Sequence, residues 1–386
     1  MRIVHVVRQF RPALGGLEDS TFNLIRHQRE SEGLDSQVVT LNRLFTQPCD
    51  LLPSSETVDG VPVTRIPWAG SSRYPVASTV LSHFGSADLV HVHAIDFFFD
   101  YLAATKPLHR KRLVATTHGG FFHTRFAARA KRLYFSTITR ASSLAYARIV
   151  ATSPSDGEAF RRIAGAKVSV IENGVDSEKF LDAASPTPSR TIIYFGRWTV
   201  HKRIEALFPV LAALRAQEPD WRLIVAGAPS DRSLADLEGA AATCGVGDAV
   251  TFHESPSEAA LRAAIARATF FACASEHEGF GIAAVEAMSA GLIPLLSRID
   301  CFANFVDRSG AGALIDFEEA RPAAAAIAAL ARRPDVLGGG MRAKAIKEGQ
   351  RYSWAAASAR YAAVYAAALG RPQRLDPALT GPFEHL

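Results

Sequence analysis

Cysteine is scarce in this 386-residue chain: Cys49, Cys244, Cys273 and Cys301 are scattered, and none forms a C-x-x-C pair. That excludes a disulfide framework and a cysteine-built zinc site, and it reads as reduced, buried thiols of a cytoplasmic protein. Long hydrophobic runs are also missing. The longest, "PAAAAIAALA" from Pro322, is about half of what a bilayer span needs, so no transmembrane segment is expected. The apolar start "RIVHVV" is short and broken by His5 and Arg8, which argues against a secretory signal. No G-x-x-x-x-G-K-[ST] loop, no G-x-G-x-x-G turn and no D-x-D pair occurs, so the usual signatures of P-loop nucleotide binding, dinucleotide binding and metal-held diphosphate are absent.

One sign of charge is missing locally. Between Asp100 and Asp156 there is no acidic residue, while Lys106, Arg110, Lys111, Arg112, Arg125, Arg129, Lys131, Arg132, Arg140 and Arg148 fall in that interval. The whole chain is +5, so the remainder is net −5. So one-sided a block suggests an anionic partner: lipid headgroups, a diphosphate or nucleic acid. The plain alternative is a solvated basic face.

What is present is an alternation of short β-branched runs with helical patterns. Strands are expected at 2–7, 37–41, 61–66, 88–93, 112–117, 148–152 and 167–171, then at 190–195, 221–226, 249–252, 269–273 and 293–296. Runs this apolar, separated by helices, indicate α/β architecture with parallel sheets covered on both faces. The length suits two domains, and the Pro- and Ser-rich "DAASPTPSR" (182–190) is the expected linker. The expected organisation is an N-terminal Rossmann-like domain (1–185), a C-terminal one (186–352), a helix at 353–370 and a loosely ordered tail (371–386).

Four clusters could carry chemistry. Gly15-Gly16 open a helix after the first strand, where free N–H groups could face a phosphate. Arg197 and Lys202, in "FGRWTVHKR" (195–203), follow the first strand of the second series, at the carboxyl end where α/β sheets bind ligands. Two cations there could neutralise a diphosphate and the charge that builds as it leaves. His118, in "TTHGGFFHT" (116–124), follows another strand and could exchange a hydrogen bond with a substrate hydroxyl. Singly, these also read as a tight turn, a solvated loop and a histidine satisfied in the core.

The fourth cluster is "SEHEGFGIAAVEAMSAG" (275–291), with Glu278 in a turn and Glu286 eight residues on. Eight residues is slightly over two helical turns, so both carboxylates lie along one edge. That suits a ligand with hydroxyls at both ends, such as a sugar joined through a diphosphate to a ribose. A glycosidase acid–base pair needs opposed carboxylates instead. A glutamate within an apolar helix is costly to bury unpartnered, which favours a functional Glu286.

Together, Gly15-Gly16, "IENGVD" (171–176), "FGRWTVHK" and Glu-x₇-Glu resemble the retaining glycosyltransferases of family four, which have the GT-B fold of two Rossmann-like domains facing across a cleft. The resemblance covers residues 1 to about 370. It implies that Glu278 contacts the donor sugar, that Gly279, Phe280, Gly281 and Ile282 lie by sugar and diphosphate, and that Glu286 holds the ribose. Arg197 and Lys202 would stabilise the departing diphosphate with Gly15-Gly16 amide support, and His118 would sit beside the transferred sugar. No metal is implied. The chain departs from the family where Lys202-Arg203 replaces a frequent Lys-Gly.

Three further stretches, 70–77, 93–109 and 117–127, resemble the branch of the family that assembles exopolysaccharide repeat units. That implies GDP-mannose as donor, a lipid-linked diphospho-oligosaccharide (cellobiosyl-diphosphopolyprenol) as acceptor, an α-1,3 link, and a peripheral place on the inner face of the cell membrane. His123, Arg125, Arg129, Lys131 and Arg132, interleaved with aromatics, would then meet the acceptor and an anionic membrane surface. The rivals are another nucleotide sugar or lipid acceptor within the family, and a non-catalytic membrane-associated binding protein. A nucleic-acid binder would leave both glutamates without a purpose.

Overall fold

All twelve expected strands form in the computed structural model, which describes residues 1–13, 15–72, 74–119, 133–278 and 280–371. The chain divides into two units, each described by itself: residues 1–174 with the segment from Trp354 onward, and Val175–Ser353.

The first unit holds an eight-stranded sheet. It is built from β1 (Arg2–Val6), β2 (Asp35–Leu41), β3 (Ser55–Val58), β4 (Val61–Ile66), β7 (Leu89–His93), β8 (Arg112–Thr116), β9 (Arg148–Ala151) and β10 (Val168–Val170). The order is β10-β9-β8-β7-β1-β2-β4-β3, parallel except for β3 against β4. β3 and the small pair β5 (Ala69–Ser71) and β6 (Tyr74–Val76) went unforeseen, because short antiparallel ribbons lack the continuous apolar run of a buried strand. Helix Gly16–Glu30 packs by Phe22, Leu24 and Ile25, with Glu18 and Asp19 in its first turn and His27 and Arg29 in its last, each favourable to the helix dipole. The C-terminal helix Trp354–Ala368 belongs to this unit and buries Trp354, Tyr361 and Tyr365 in a core shared with Ile3, Leu89 and Val114.

The second unit is a six-stranded parallel sheet of β11 (Thr191–Phe195), β12 (Arg222–Gly227), β13 (Val250–Glu254), β14 (Phe270–Cys273), β15 (Ile293–Ser297) and β16 (Ala313–Ile315), ordered β13-β12-β11-β14-β15-β16. The stretch 182–190 does not divide the units. It lies within the second, where the Ala184 amide bonds Ala290 O (2.8 Å) and the Ser189 amide bonds Thr269 Oγ1 (2.7 Å). Pro and Ser here serve a packed coil, not a linker. The chain leaves the first unit after Gly174, a position where a Cβ would lie 2.3 Å from Trp354 Cδ2. The four cysteines are free, as expected, but only Cys273 is fully buried and Cys49 is exposed. The tail from 372 onward lies outside the described residues.

Candidate active site

In the second unit the strand order reverses between β11 and β14. Loops leaving neighbouring strands part at such a point and open a crevice at the carboxyl ends, where open α/β sheets take their ligands. β11 delivers Arg197 and, through a short turn, Lys202; β14 delivers Ser275 and Glu278. The close approach of the two loop-bearing strands β11 and β12 depends on Gly227, where a Cβ would stand 1.8 Å from the Gly196 carbonyl oxygen.

Lys202 and Glu278, expected to act on diphosphate and sugar respectively, are paired with each other. Lys202 Nζ contacts Glu278 Oε1, both side chains being largely buried. Ser275 Oγ donates to the same oxygen (2.8 Å), and Cys273 Sγ lies 3.8 Å from it. Every hydrogen bond and ion pair of that carboxylate among the described residues falls on Oε1, and Oε2 makes none. Arg197 is exposed and has no ion-pair partner among the described residues.

Arg203 adopts a left-handed backbone, φ 51°. This is the conformation glycine takes without cost, which gives a physical reason for the frequent Lys-Gly of the family. Its guanidinium pairs with Glu318 (2.9 Å) and Glu276 (3.6 Å), both of them exposed carboxylates.

Gly281 caps helix Ile282–Ser289 at φ 86°, and a Cβ there would meet Phe302 Cε1 at 2.8 Å. Both backbone and packing therefore require glycine at the entrance of this helix. Phe280 packs against Tyr352 (5.4 Å between ring centroids) and Phe305, while Ile282 is exposed. Gly279 lies outside the described residues.

Glu286 is half-buried on this helix, and its carboxylate accepts no hydrogen bond among the described residues. Burial pushes its pKa from 4.5 up to about 7, with Asp176 and Glu258 adding to the rise and Lys179 opposing it. The folded state thus holds this proton more tightly than the unfolded chain. The associated stability is present below pH 4.5 and is lost as pH rises through about 7. Glu286→Gln abolishes that loss. The variant should match wild type at pH 5 and exceed it by roughly 1–3 kcal/mol at pH 8, read from melts at the two pH values.

In the first unit, Gly15 precedes helix Gly16–Glu30 in an extended conformation open to any residue, and nothing lies within 4 Å of a Cβ built on Gly16. The helix entrance is therefore open at Gly16. His118 follows β8 at φ 51°, half-buried, and is not a lone histidine: its Nε2 lies 2.9 Å from His93 Nδ1, which continues to His5. Burial depresses the His118 and His5 pKa values to about 3, and those of His91 and His93 also fall, so all four rings are neutral. His5, His91 and His93 are the group of ligating side chains among the described residues close enough to hold a metal, with nitrogens within 4.8 Å of one another.

Sequence reasoning passed over these partners. The available signal was "LVHVH": histidine at alternate positions of a strand otherwise wholly apolar, level with His5 of β1. Asp96 was missed as well. It caps the helix Phe97–Ala104 through Oδ1, its buried Oδ2 has no partner among the described residues, and burial raises its pKa to about 6.

Of the basic segment, His123, Arg125, Arg129, Lys131 and Arg132 lie outside the described residues. On either side of them in the sequence, Arg110, Arg112 and Arg140 are exposed, as are the apolar Leu108, Leu133, Ile138 and Leu144. Lys106 bonds the Ala145 carbonyl, bringing the Leu108 and Leu144 neighbourhoods together. Among the described residues no helix is long and apolar enough to cross a membrane.

Two family profiles match consecutive parts of the chain: Glycosyltransferase Family 4 over residues 14–179 and Glycosyl transferases group 1 over 176–352. Over 371 residues the chain is 47% identical to the GDP-mannose:cellobiosyl-diphosphopolyprenol alpha-mannosyltransferase of Komagataeibacter xylinus, spanning 96% of this chain and 94% of that one. The chain is a family 4 glycosyltransferase. The protein of the same description from Xanthomonas campestris is 46% identical over 374 residues, 97% of this transferase and 98% of that one. Among solved structures, the glycosyltransferase from Rickettsia africae ESF-5 matches with a TM-score of 0.68 at 16% identity, over 96% of this chain and 99% of that one, a likeness of fold. The transferase has the GT-B fold, as expected from its α/β pattern and four clusters.

Proposed function

We propose that this transferase moves α-mannose from GDP-mannose onto cellobiosyl-diphosphopolyprenol in an α-1,3 link, with retention of configuration and without a metal, at the inner face of the cell membrane. The observation that carries the donor and acceptor in this reading is identity near one half, over 94–98% of both chains, with relatives described as GDP-mannose:cellobiosyl-diphosphopolyprenol alpha-mannosyltransferase. The geometry of the second unit supports the chemistry.

The diphosphate sits by Gly279, Phe280, Gly281 and Ile282, where the first amides of the helix have no intrahelical acceptor and favour an anion. Arg197 and Lys202 supply the cations, and Glu286 accepts from the ribose hydroxyls. Glu278 holds the mannose through Oε2. Its other oxygen is fixed by Lys202 and Ser275, which suits a positioning carboxylate better than a nucleophile. As the bond from the anomeric carbon to the diphosphate oxygen lengthens, the charge growing on that oxygen meets Arg197 and Lys202. The acceptor hydroxyl attacks on the same face and passes its proton to the departing oxygen. On this reading His118 contributes a hydrogen bond to the transferred sugar, and Gly15-Gly16 contribute amide support.

The acceptor is a lipid diphosphate, which gives the one-sided basic segment a purpose. Exposed leucines beside arginines insert and attract at once on an anionic bilayer. Replacing Leu108 and Leu144 with serine should therefore lower the fraction of protein sedimenting with anionic vesicles. Thermal stability should stay unchanged, because both side chains are already in water.

Incubation with membranes carrying cellobiosyl-diphospho-lipid and, separately, GDP-mannose, UDP-glucose and UDP-glucuronate tests the assignment. Mannose alone is expected in the lipid fraction. Entry of a different sugar would leave a family 4 transferase of other specificity, and no transfer from any donor would favour a binding protein.

A further inference from the structure

A buried chain of hydrogen bonds runs through the first unit and ends at His118. Gln28 begins it: its Nε2 donates to the Tyr365 hydroxyl (2.8 Å), and its Oε1 lies 3.0 Å from both Ser36 Oγ and His5 Nε2. An amide oxygen only accepts, so His5 carries its proton on Nε2. A neutral imidazole has one proton, so His5 Nδ1 is a bare acceptor, 3.0 Å from His93 Nε2. His93 must donate there, which leaves its Nδ1 bare, 2.9 Å from His118 Nε2. His118 then donates from Nε2 in turn.

The other branch agrees. Tyr365, accepting from Gln28, gives its proton to His91 Nδ1 (2.8 Å), and His91 Nε2 donates to Thr116 Oγ1 (2.7 Å). All six ring nitrogens of His5, His91 and His93 are thereby committed, so this cluster is satisfied as a hydrogen-bonded network and leaves no lone pair for a metal. Burial of all four rings keeps them neutral, the condition on which the proton count rests.

We infer that the Gln28 amide, acting through His5 and His93, is a positioning group that locks His118 as its Nε2–H tautomer, so that the Nδ1 lone pair accepts a hydrogen bond from a substrate hydroxyl. The inference rests on the reading of His118 as a sugar-contacting residue. Turning the Gln28 amide over would reverse every donor along the chain and present an N–H instead. One side chain, two rings removed, therefore decides whether His118 accepts or donates. Because the ring stays neutral, it orients a hydroxyl and does not store a proton.

The test is a long-range ¹H–¹⁵N spectrum of the full chain labelled on histidine, with His118 assigned by its absence from the His118→Gln spectrum. Protonated Nε2 and bare Nδ1 are expected; protonated Nδ1 in the wild type overturns the inference, whatever any variant does. Gln28→Leu removes the acceptor and should leave His118 as a mixture of tautomers. Its kcat should fall roughly tenfold, the worth of one hydrogen bond, with donor KM little changed. Gln28→Glu keeps an acceptor toward His5 and should retain both the tautomer and most of the turnover. An unchanged tautomer in Gln28→Leu overturns the inference as well. Undiminished turnover by His118→Ala would instead remove the substrate contact, leaving the wild-type tautomer as the separate readout.

Discussion

Lys202→Ala should lower kcat about 10²–10³-fold, the loss typical when one donor to a developing oxyanion is removed. Lys202 has two tasks on the proposed reading. Without donor it pairs with Glu278; with donor it turns part of its charge to the diphosphate, most strongly as the glycosidic bond breaks. The alanine variant forfeits the second and strands the largely buried Glu278 carboxylate, at a cost to stability of roughly 1–3 kcal/mol. The two effects separate experimentally. Single-turnover rates at saturating donor report the leaving-group term, and denaturant titration reports the pair. Lys202→Arg keeps a cation and should recover part of the rate, though not all, since the guanidinium is planar and longer. Turnover by Lys202→Ala within threefold of wild type would remove Lys202 from the leaving-group site.

Gly227→Ala should be the most destructive single methyl in the second unit. The added Cβ would lie 1.8 Å from the Gly196 carbonyl oxygen and 2.8 Å from its carbon, and it approaches Trp198 Nε1 at 3.0 Å. The first two are backbone atoms of Gly196, the residue directly after β11, whose amide is bonded to Ala226 O, so relief requires β11 and β12 to separate at the end that carries Arg197 and Lys202. Overpacking costs of ~1–3 kcal/mol are ordinary for side chains that can yield, and here the obstacle cannot. A loss of at least ~3 kcal/mol, or roughly 6–12 °C in Tm, is expected, with turnover falling further than stability explains. Gly239→Ala is the control. Gly239 is exposed inside helix Leu234–Thr243 with nothing within 4 Å of a Cβ, so the same change should stabilise by about 0.5–1 kcal/mol. Equal melting of both variants would show that the close approach at Gly227 is unimportant.

Much of the site was legible because its parts are local. Glu278, the glycine turn and Glu286 lie within nine residues, and helical spacing alone sets their relation. Arg197 and Lys202 were readable as cations after a strand. Their state was not: Lys202 is neutralised by a residue 76 positions away, and Arg203 by Glu318, 115 positions away. Gln28 and Tyr365, 337 apart, meet only because helices Gly16–Glu30 and Trp354–Ala368 cover the same region of the first sheet. The linker reading failed for a related reason. Composition registers Pro and Ser as breaks in periodicity, yet it cannot distinguish an exposed tether from a coil packed on a core.

By itself, then, the sequence determined the α/β class, the positions of twelve strands and the glycine-bearing helix entrances at Gly15-Gly16 and Gly281. Each follows from periodicity or from spacing within a few turns of chain. The tertiary structure alone decided which charges pair with each other, where the chain passes between units, and how the His118 ring joins the buried network. Those outcomes depend on strand register and on burial. A hydrogen bond formed across a sheet fixes a charge or a tautomer only once both partners have been brought out of water to the same place.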